Sequence, residues 1–93
     1  MKSYPTELEI RDWCVAYLAK SFKTPAERID PSAKFARLGM DSAASVFFIV
    51  ELEEWLGIEL PTEIVFNHPT PAGLARHIAG RYLTEAGTRG RVG

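Results

Sequence analysis

The stretch that most constrains this chain is Ala44 to Leu56, ASVFFIVELEEWL, which follows Asp41-Ser42 and stops at Gly57. Its apolar run Val46-Phe47-Phe48-Ile49-Val50 would, on its own, suit a buried strand. Length decides against that reading. The apolar pattern continues through Leu52, Trp55 and Leu56 with glutamates interspersed, which is too long for a strand and suits a helix ended by glycine. Such a helix must bury one side, and 93 residues supply one small core to bury it in.

The rest of the chain divides into helices around it. Thr6 is placed to cap a first helix over about residues 6–21, with Glu7 and Glu9 in its first turn, where acids favour the helix dipole. Leu8, Ile10, Trp13, Cys14, Tyr17 and Leu18 recur there at mostly three- and four-residue steps, and Pro25 stops the pattern. Residues 22–41 form a long first loop with Pro25 and Pro31, pinned by Ile29, Phe35 and Leu38, with one helical turn at Phe35–Leu38 closed by Gly39. The second helix starts at Asp41 or Ser42. Ile58 to Pro61 is an extended link, and Thr62 is placed to cap a short third helix containing Glu63, Ile64, Val65 and Phe66. Thr70-Pro71 caps a fourth helix with Leu74, Ile78 and Tyr82 or Leu83 inside and Arg76 and Arg81 outside. The expectation is an all-α four-helix bundle: three main helices, a short third one and a long loop between helices 1 and 2. Residues 1–5 form a lead, 6–83 the folded domain, and the glycine-containing tail 84–93 is expected to be flexible.

Composition excludes several functions. The net charge is −1, so nothing in the total points to a nucleic-acid surface. Its distribution is uneven: Leu38 to Ala75 contains six acids and neither Lys nor Arg, after which come Arg76, Arg81, Arg89 and Arg91. An acidic middle suits a partner with a basic face, a solvated helix surface being the plain alternative. The one cysteine, Cys14, rules out an internal disulfide and a multi-cysteine metal site; its helical spacing reads as a buried core thiol. No apolar run reaches the roughly 18–20 residues that span a membrane, and Met1-Lys2-Ser3 leads directly into charged residues, so a cytoplasmic protein is expected.

Asp41-Ser42 before an apolar helix is, taken alone, an ordinary cap. Position gives the serine more weight: a hydroxyl in the first helical turn faces unpaired backbone N–H groups and the positive end of the dipole, where an attached phosphate is favoured.

The wider pattern runs from Leu38-Gly39-x-Asp41-Ser42 through Gly57-Ile58-Glu59-Leu60-Pro61 to Val65-Phe66-Asn67-His68-Pro69-Thr70-Pro71 and Leu74-Ala75. It resembles the acyl carrier protein family, most nearly the carrier domains of polyketide synthases, over residues 6–83. The resemblance implies the four-helix bundle reached above. It implies that Ser42 receives 4′-phosphopantetheine from coenzyme A through a phosphodiester, and that Asp41 helps a phosphopantetheinyl transferase engage the site. The thiol of that arm would carry acyl groups as thioesters between an acyl-loading enzyme (an acyltransferase or an acyl-adenylating ligase) and a ketosynthase or other acyl-processing enzymes. The carrier would be a monomer without catalytic activity, nucleic-acid partner or membrane association. Related carriers of nonribosomal peptide synthesis more often show Gly-Gly-x-Ser; Met40-Asp41 before Ser42 favours acyl over aminoacyl carriage.

At about 100° per residue, Val46, Ile49, Leu52 and Leu56 fall inward on the second helix with Phe48 at the edge, while Ala43, Phe47, Val50, Glu51 and Glu54 face outward as a partner surface. Phe47 stands where family members commonly carry glutamate. It either folds over a core edge or is an exposed anchor for a dedicated partner. Trp55 is expected to pack. His68 braces its turn and His77 sits at the edge of the fourth helix. A Ser42–His–Asp41 hydrolase lacks the Gly-x-Ser-x-Gly elbow and room for a substrate pocket. The remaining competitor is a helical interaction module that is never modified, which would not require the serine.

Overall fold

A computed structural model of the chain describes residues 5–82. Four α-helices follow one another: α1 (Glu7–Phe22), α2 (Ser42–Leu56), the short α3 (Ile64–Asn67) and α4 (Pro71–Arg81). A 3₁₀ turn at Ala26–Arg28, which the sequence reading lacks, interrupts the first loop. There is no strand among the described residues. Leu83 and the tail 84–93 lie outside the described residues, as do residues 1–4.

Helix α1 opens with a reciprocal cap. The Glu9 N–H donates to Thr6 Oγ1 at 3.1 Å and the Thr6 N–H donates to Glu9 Oε1 at 2.8 Å, so two otherwise unpaired donors are satisfied at once. It ends at Lys23, a left-handed residue (φ 54°), two positions ahead of Pro25. Helix α4 opens as expected: Thr70 Oγ1 accepts the Gly73 N–H at 3.0 Å, and Pro71 takes the first helical position.

The core is filled by Ile10, Cys14 and Leu18 from α1, by Phe48, Ile49, Leu52 and Leu56 from α2, and by Leu74, Ala75 and Ile78 from α4, with Ile64 and Val65 of α3 closing one end. Burial pushes the Cys14 thiol up to about 12, consistent with an inert core sulfur.

The inward face of α2 differs from the sequence expectation at two positions. Phe48, assigned to the edge, is completely buried, whereas Val46, assigned to the core, is 51% exposed. Five apolar residues in a row leave the helical phase undetermined, so the surroundings decide it. Phe48 meets the rings of Tyr17 and Phe35, each at 5.3 Å, and Trp13 at 5.9 Å. Burying a large ring contributes about 1.5–3 kcal/mol, and each ring pair about 0.5–1.5 kcal/mol more. Trp13 in turn stacks on Tyr17 at 5.4 Å and on Trp55 at 5.3 Å, so Trp55 packs as expected although its outer edge is open.

The long loop is pinned by Ile29 and Phe35 as expected, with Leu38 half-buried and Met40 as a further buried anchor. Two backbone bonds fasten it to the start of α4: the Phe35 N–H donates to the Pro69 carbonyl at 2.7 Å, and the Ala72 N–H to the Pro31 carbonyl at 2.8 Å. The α2–α3 link is held by Glu53, whose Oε2 accepts the Leu60 N–H at 2.6 Å. Thr62 is not the cap of α3. The N-cap is Glu63, without a side-chain bond, and the turn is closed by the Ile64 N–H donating to the Pro61 carbonyl at 3.1 Å.

Candidate functional site

The chain reaches Ser42 through a tight reversal. The Leu38 N–H donates to the Lys34 carbonyl at 3.1 Å and the Met40 N–H to the Phe35 carbonyl at 3.0 Å, closing a turn that ends at Gly39. Gly39 has φ 106°. A Cβ there would sit at an ordinary 3.5 Å from the Phe22 ring, so glycine is required by the backbone angle and not by space. Asp41 is then extended (φ −94°, ψ −173°) and caps α2: its Oδ1 accepts the Ala44 N–H at 2.8 Å.

Two serines lie in the first helical turn, and their environments differ. Ser45 is buried, and its Oγ donates to the Asp41 carbonyl at 2.9 Å. Ser42, the first helical residue, is exposed, and its hydroxyl makes no hydrogen bond among the described residues. The N–H groups of Ser42 and Ala43 have no acceptor within the helix, because the first turn lacks preceding carbonyls. The site thus offers an accessible hydroxyl beside free donors, with the nearby Asp41 carboxylate already engaged by Ala44. A phosphate ester on Ser42 fits this position, the helix end favouring an anion by about 0.3–1 kcal/mol at low ionic strength.

The outer face of α2 carries a continuous stripe. Ala43, Phe47, Val50, Glu51 and Glu54 are all exposed, as expected, and Val46 joins them. Phe47 is 68% exposed, so it does not fold over the core. Neither Glu51 nor Glu54 has an ion pair among the described residues. Glu53, between them, is set apart by its bond to the α2–α3 link.

Beside the start of α2 lies a shallow cleft of about 130 Å³, walled by Phe35, Met40, Ser45 and Val65 and rimmed by Phe66. Phe66 is 69% exposed, the most open large apolar side chain among the described residues. Sequence reading placed it in α3 without a role, because a four-residue helix has too few turns for its pattern to reveal an outer face.

Among the described residues neither histidine hydrogen-bonds Ser42 or Asp41. His68 and His77 stack on each other at 3.8 Å with an interplanar angle of 18°, and the Asp41 carboxylate is used by Ala44. His77 is held below the usual histidine range, first by partial burial, then by His68 and Arg81. No group of three or more metal-ligating side chains occurs among the described residues, and no described helix is long and apolar enough to cross a membrane.

Comparison with known proteins agrees with this geometry. Residues 12–78 match the family model described as the phosphopantetheine attachment site. Over 60 residues the chain is 42% identical to a pikromycin polyketide synthase component of Streptomyces venezuelae, covering 64% of this chain and only 4% of that much longer protein. In structure it is similar to an acyl carrier protein from an Anabaena species with a variant phosphopantetheinylation-site sequence (TM-score 0.81, 28% identity, 88% of this chain and 93% of that one). It is also similar to a free-standing peptidyl carrier protein from Acinetobacter baumannii (TM-score 0.75, 25% identity, 81% of this chain and 94% of that one).

Proposed function

The chain belongs to the phosphopantetheine attachment site family, and from that premise we propose that it is an acyl carrier whose attachment point is Ser42. The observation that carries the assignment is the contrast within one helical turn. Ser45 is buried and bonded, whereas Ser42 is exposed at the helix start with an unengaged hydroxyl. In the modification, the Ser42 Oγ would lose its proton and form a bond to the phosphorus next to the pantetheine of coenzyme A, as that phosphorus's bond to the bridging pyrophosphate oxygen breaks and adenosine 3′,5′-bisphosphate leaves. When bound, that group supplies a terminal thiol that holds acyl units as thioesters. Asp41 fixes the helix start and so the direction of the Ser42 side chain; the free N–H groups of Ser42 and Ala43 would favour the negative charge of the attached group. The chain itself makes and breaks no acyl bonds.

The enzymes that act on it are a phosphopantetheinyl transferase, an acyl-loading acyltransferase or ligase, and a ketosynthase or comparable acyl-processing enzyme. The outer stripe of α2 is where they dock: Ala43, Val46, Phe47 and Val50 give an apolar contact and Glu51 and Glu54 an acidic rim. The protein works as a cytoplasmic monomer in polyketide assembly, and Met40-Asp41 before the serine supports acyl over aminoacyl cargo. Neither nucleic acid nor membrane is a partner.

The test is an intact-mass measurement after incubation with coenzyme A and a broad-specificity phosphopantetheinyl transferase. The wild type gains one phosphopantetheine and Ser42→Ala gains none. No gain in the wild type, or an equal gain in Ser42→Ala, sinks the assignment. For the docking stripe, Phe47→Glu keeps the mass gain but slows acyl transfer with at least one processing enzyme; unchanged rates with all of them remove Phe47 from the interface.

A further inference from the structure

On the side of α4 turned away from the core, Gly73, Arg76, His77, Gly80 and Arg81 follow at steps of three, one, three and one, which places them along one face. With His68 they line an open groove of about 440 Å³. The wall is the stacked pair of imidazoles. The charges are two guanidinium groups, Arg76 and Arg81, both exposed and neither ion-paired among the described residues. Among the described residues no acidic side chain lines the groove.

The two glycines differ in their reason for being there. A Cβ on Gly73 would meet Thr70 Oγ1 at 2.9 Å, so the helix cap accounts for it. Gly80 has nothing within 4 Å of where a Cβ would stand, and it is not in a left-handed turn, the helix continuing to Arg81 and ending at Tyr82. Glycine is a poor helix former, and neither packing nor chain reversal requires it at position 80. Its effect is to leave bare backbone as the floor of a groove with an arginine at each end.

We propose that this groove docks an acidic segment of a partner protein, with Arg76 and Arg81 each taking a carboxylate across the bare backbone at Gly80. The five-residue step from Arg76 to Arg81 is a rise of about 7.5 Å along the helix. The same step turns about 140° around the helix, so the two guanidinium groups stand on opposite edges of the groove, and an acidic segment crossing it offers each a carboxylate from a different residue. A single small anion reaches only one of them well. Bidentate arginine–carboxylate pairs give such a contact its direction. The surface shares no residue with the Ser42 stripe and is opposite to it in charge.

The test uses the full chain and a hexaglutamate peptide as probe, followed by amide NMR at low salt. Saturable shifts are expected at Gly73, Arg76, His77, Gly80 and Arg81, shrinking as salt is raised. The double variant Arg76→Ala/Arg81→Ala is expected to weaken binding at least tenfold. Gly80→Ala weakens it as well while raising the melting temperature, a combination that general loss of structure does not produce. The mass gain at Ser42 stays intact in all three proteins, which separates this proposal from the carrier assignment. Shifts away from α4, or shifts unchanged in the double variant, overturn it. So does equal saturation of the same amides by inorganic phosphate, which marks a small-anion site. Dimerisation that depends on Arg76 and Arg81 also overturns it, since the occupant is then the acidic stripe of a second copy.

Discussion

Helices α2 and α4 are built alike on the inside and differently on the outside. Each starts at a capped turn, Asp41 in one and Thr70 in the other, and each buries one face, Phe48-Ile49-Leu52-Leu56 against Leu74-Ala75-Ile78. Their solvent faces also share a spacing: 43, 46, 47, 50, 51 and 54 on α2, and 73, 76, 77, 80 and 81 on α4. The first face is apolar and acidic, the second cationic and partly bare. Folding asks for neither, since buried side chains set the helix positions and exposed ones contribute little. What differs between the two helices is therefore what each shows to other molecules, and substitutions on the two sides of each helix can test that division.

The largest effect is expected on the inside of α2. Phe48→Ala removes a ring packed on Tyr17, Trp13 and Phe35 and should cost about 3–5 kcal/mol in urea unfolding. Its neighbour Phe47→Ala should stay within about 0.5 kcal/mol. Comparable losses from both would erase the distinction between inner and outer face. Next come the caps. Asp41→Ala and Thr70→Ala should each cost about 1 kcal/mol, but only Asp41→Ala should slow modification of Ser42, read as the rate of mass gain. A similar slowing by Thr70→Ala would show that the attachment rate follows stability alone. Smaller, and opposite in sign, Gly80→Ala should stabilise by up to about 1 kcal/mol; destabilisation would mean that the fold needs the bare backbone. The smallest effect is electrostatic. Because His77 is held below its ordinary range in the folded chain, the unfolded chain binds the proton more readily. Its contribution is fully present above about pH 6.5 and is lost as pH falls below that value towards the folded midpoint. His77→Gln should flatten this slope in thermal melts between about pH 5 and 7. An NMR midpoint for His77 above 6.5 would reverse the sign.

What the sequence discloses follows how local each cause is. The start and end of α2 are readable because Asp41 and Gly57 act within a few residues, and so is Thr70-Pro71. The place of Ser42 as the exposed first residue of α2 is readable for the same reason, and the spacing to Pro61 and to His68–Pro71 carries the family resemblance. The phase of α2 is not readable, since Val46 to Val50 are apolar throughout and Phe48 turns inward only because Tyr17, Trp13 and Phe35 wait there. Thr62 misleads because α3 is a single turn closed by backbone bonds, for which a capping residue is not needed. The His68–His77 stack spans nine positions and a Pro-Thr-Pro break, and the bond from Leu60 to Glu53 crosses the helix end at Gly57; neither lies within one helix.

The two bonds that fasten the first loop to α4 have a consequence for the order in which the chain is made. The stretch leading into Ser42 is held through the Pro69 carbonyl and the Ala72 N–H. A nascent chain emerging from the ribosome exposes Ser42 long before those groups exist outside the tunnel. Until they do, the loop lacks both of these bonds. The loop that presents Ser42 is therefore fastened only once residues 69–72, at the start of α4, have been made.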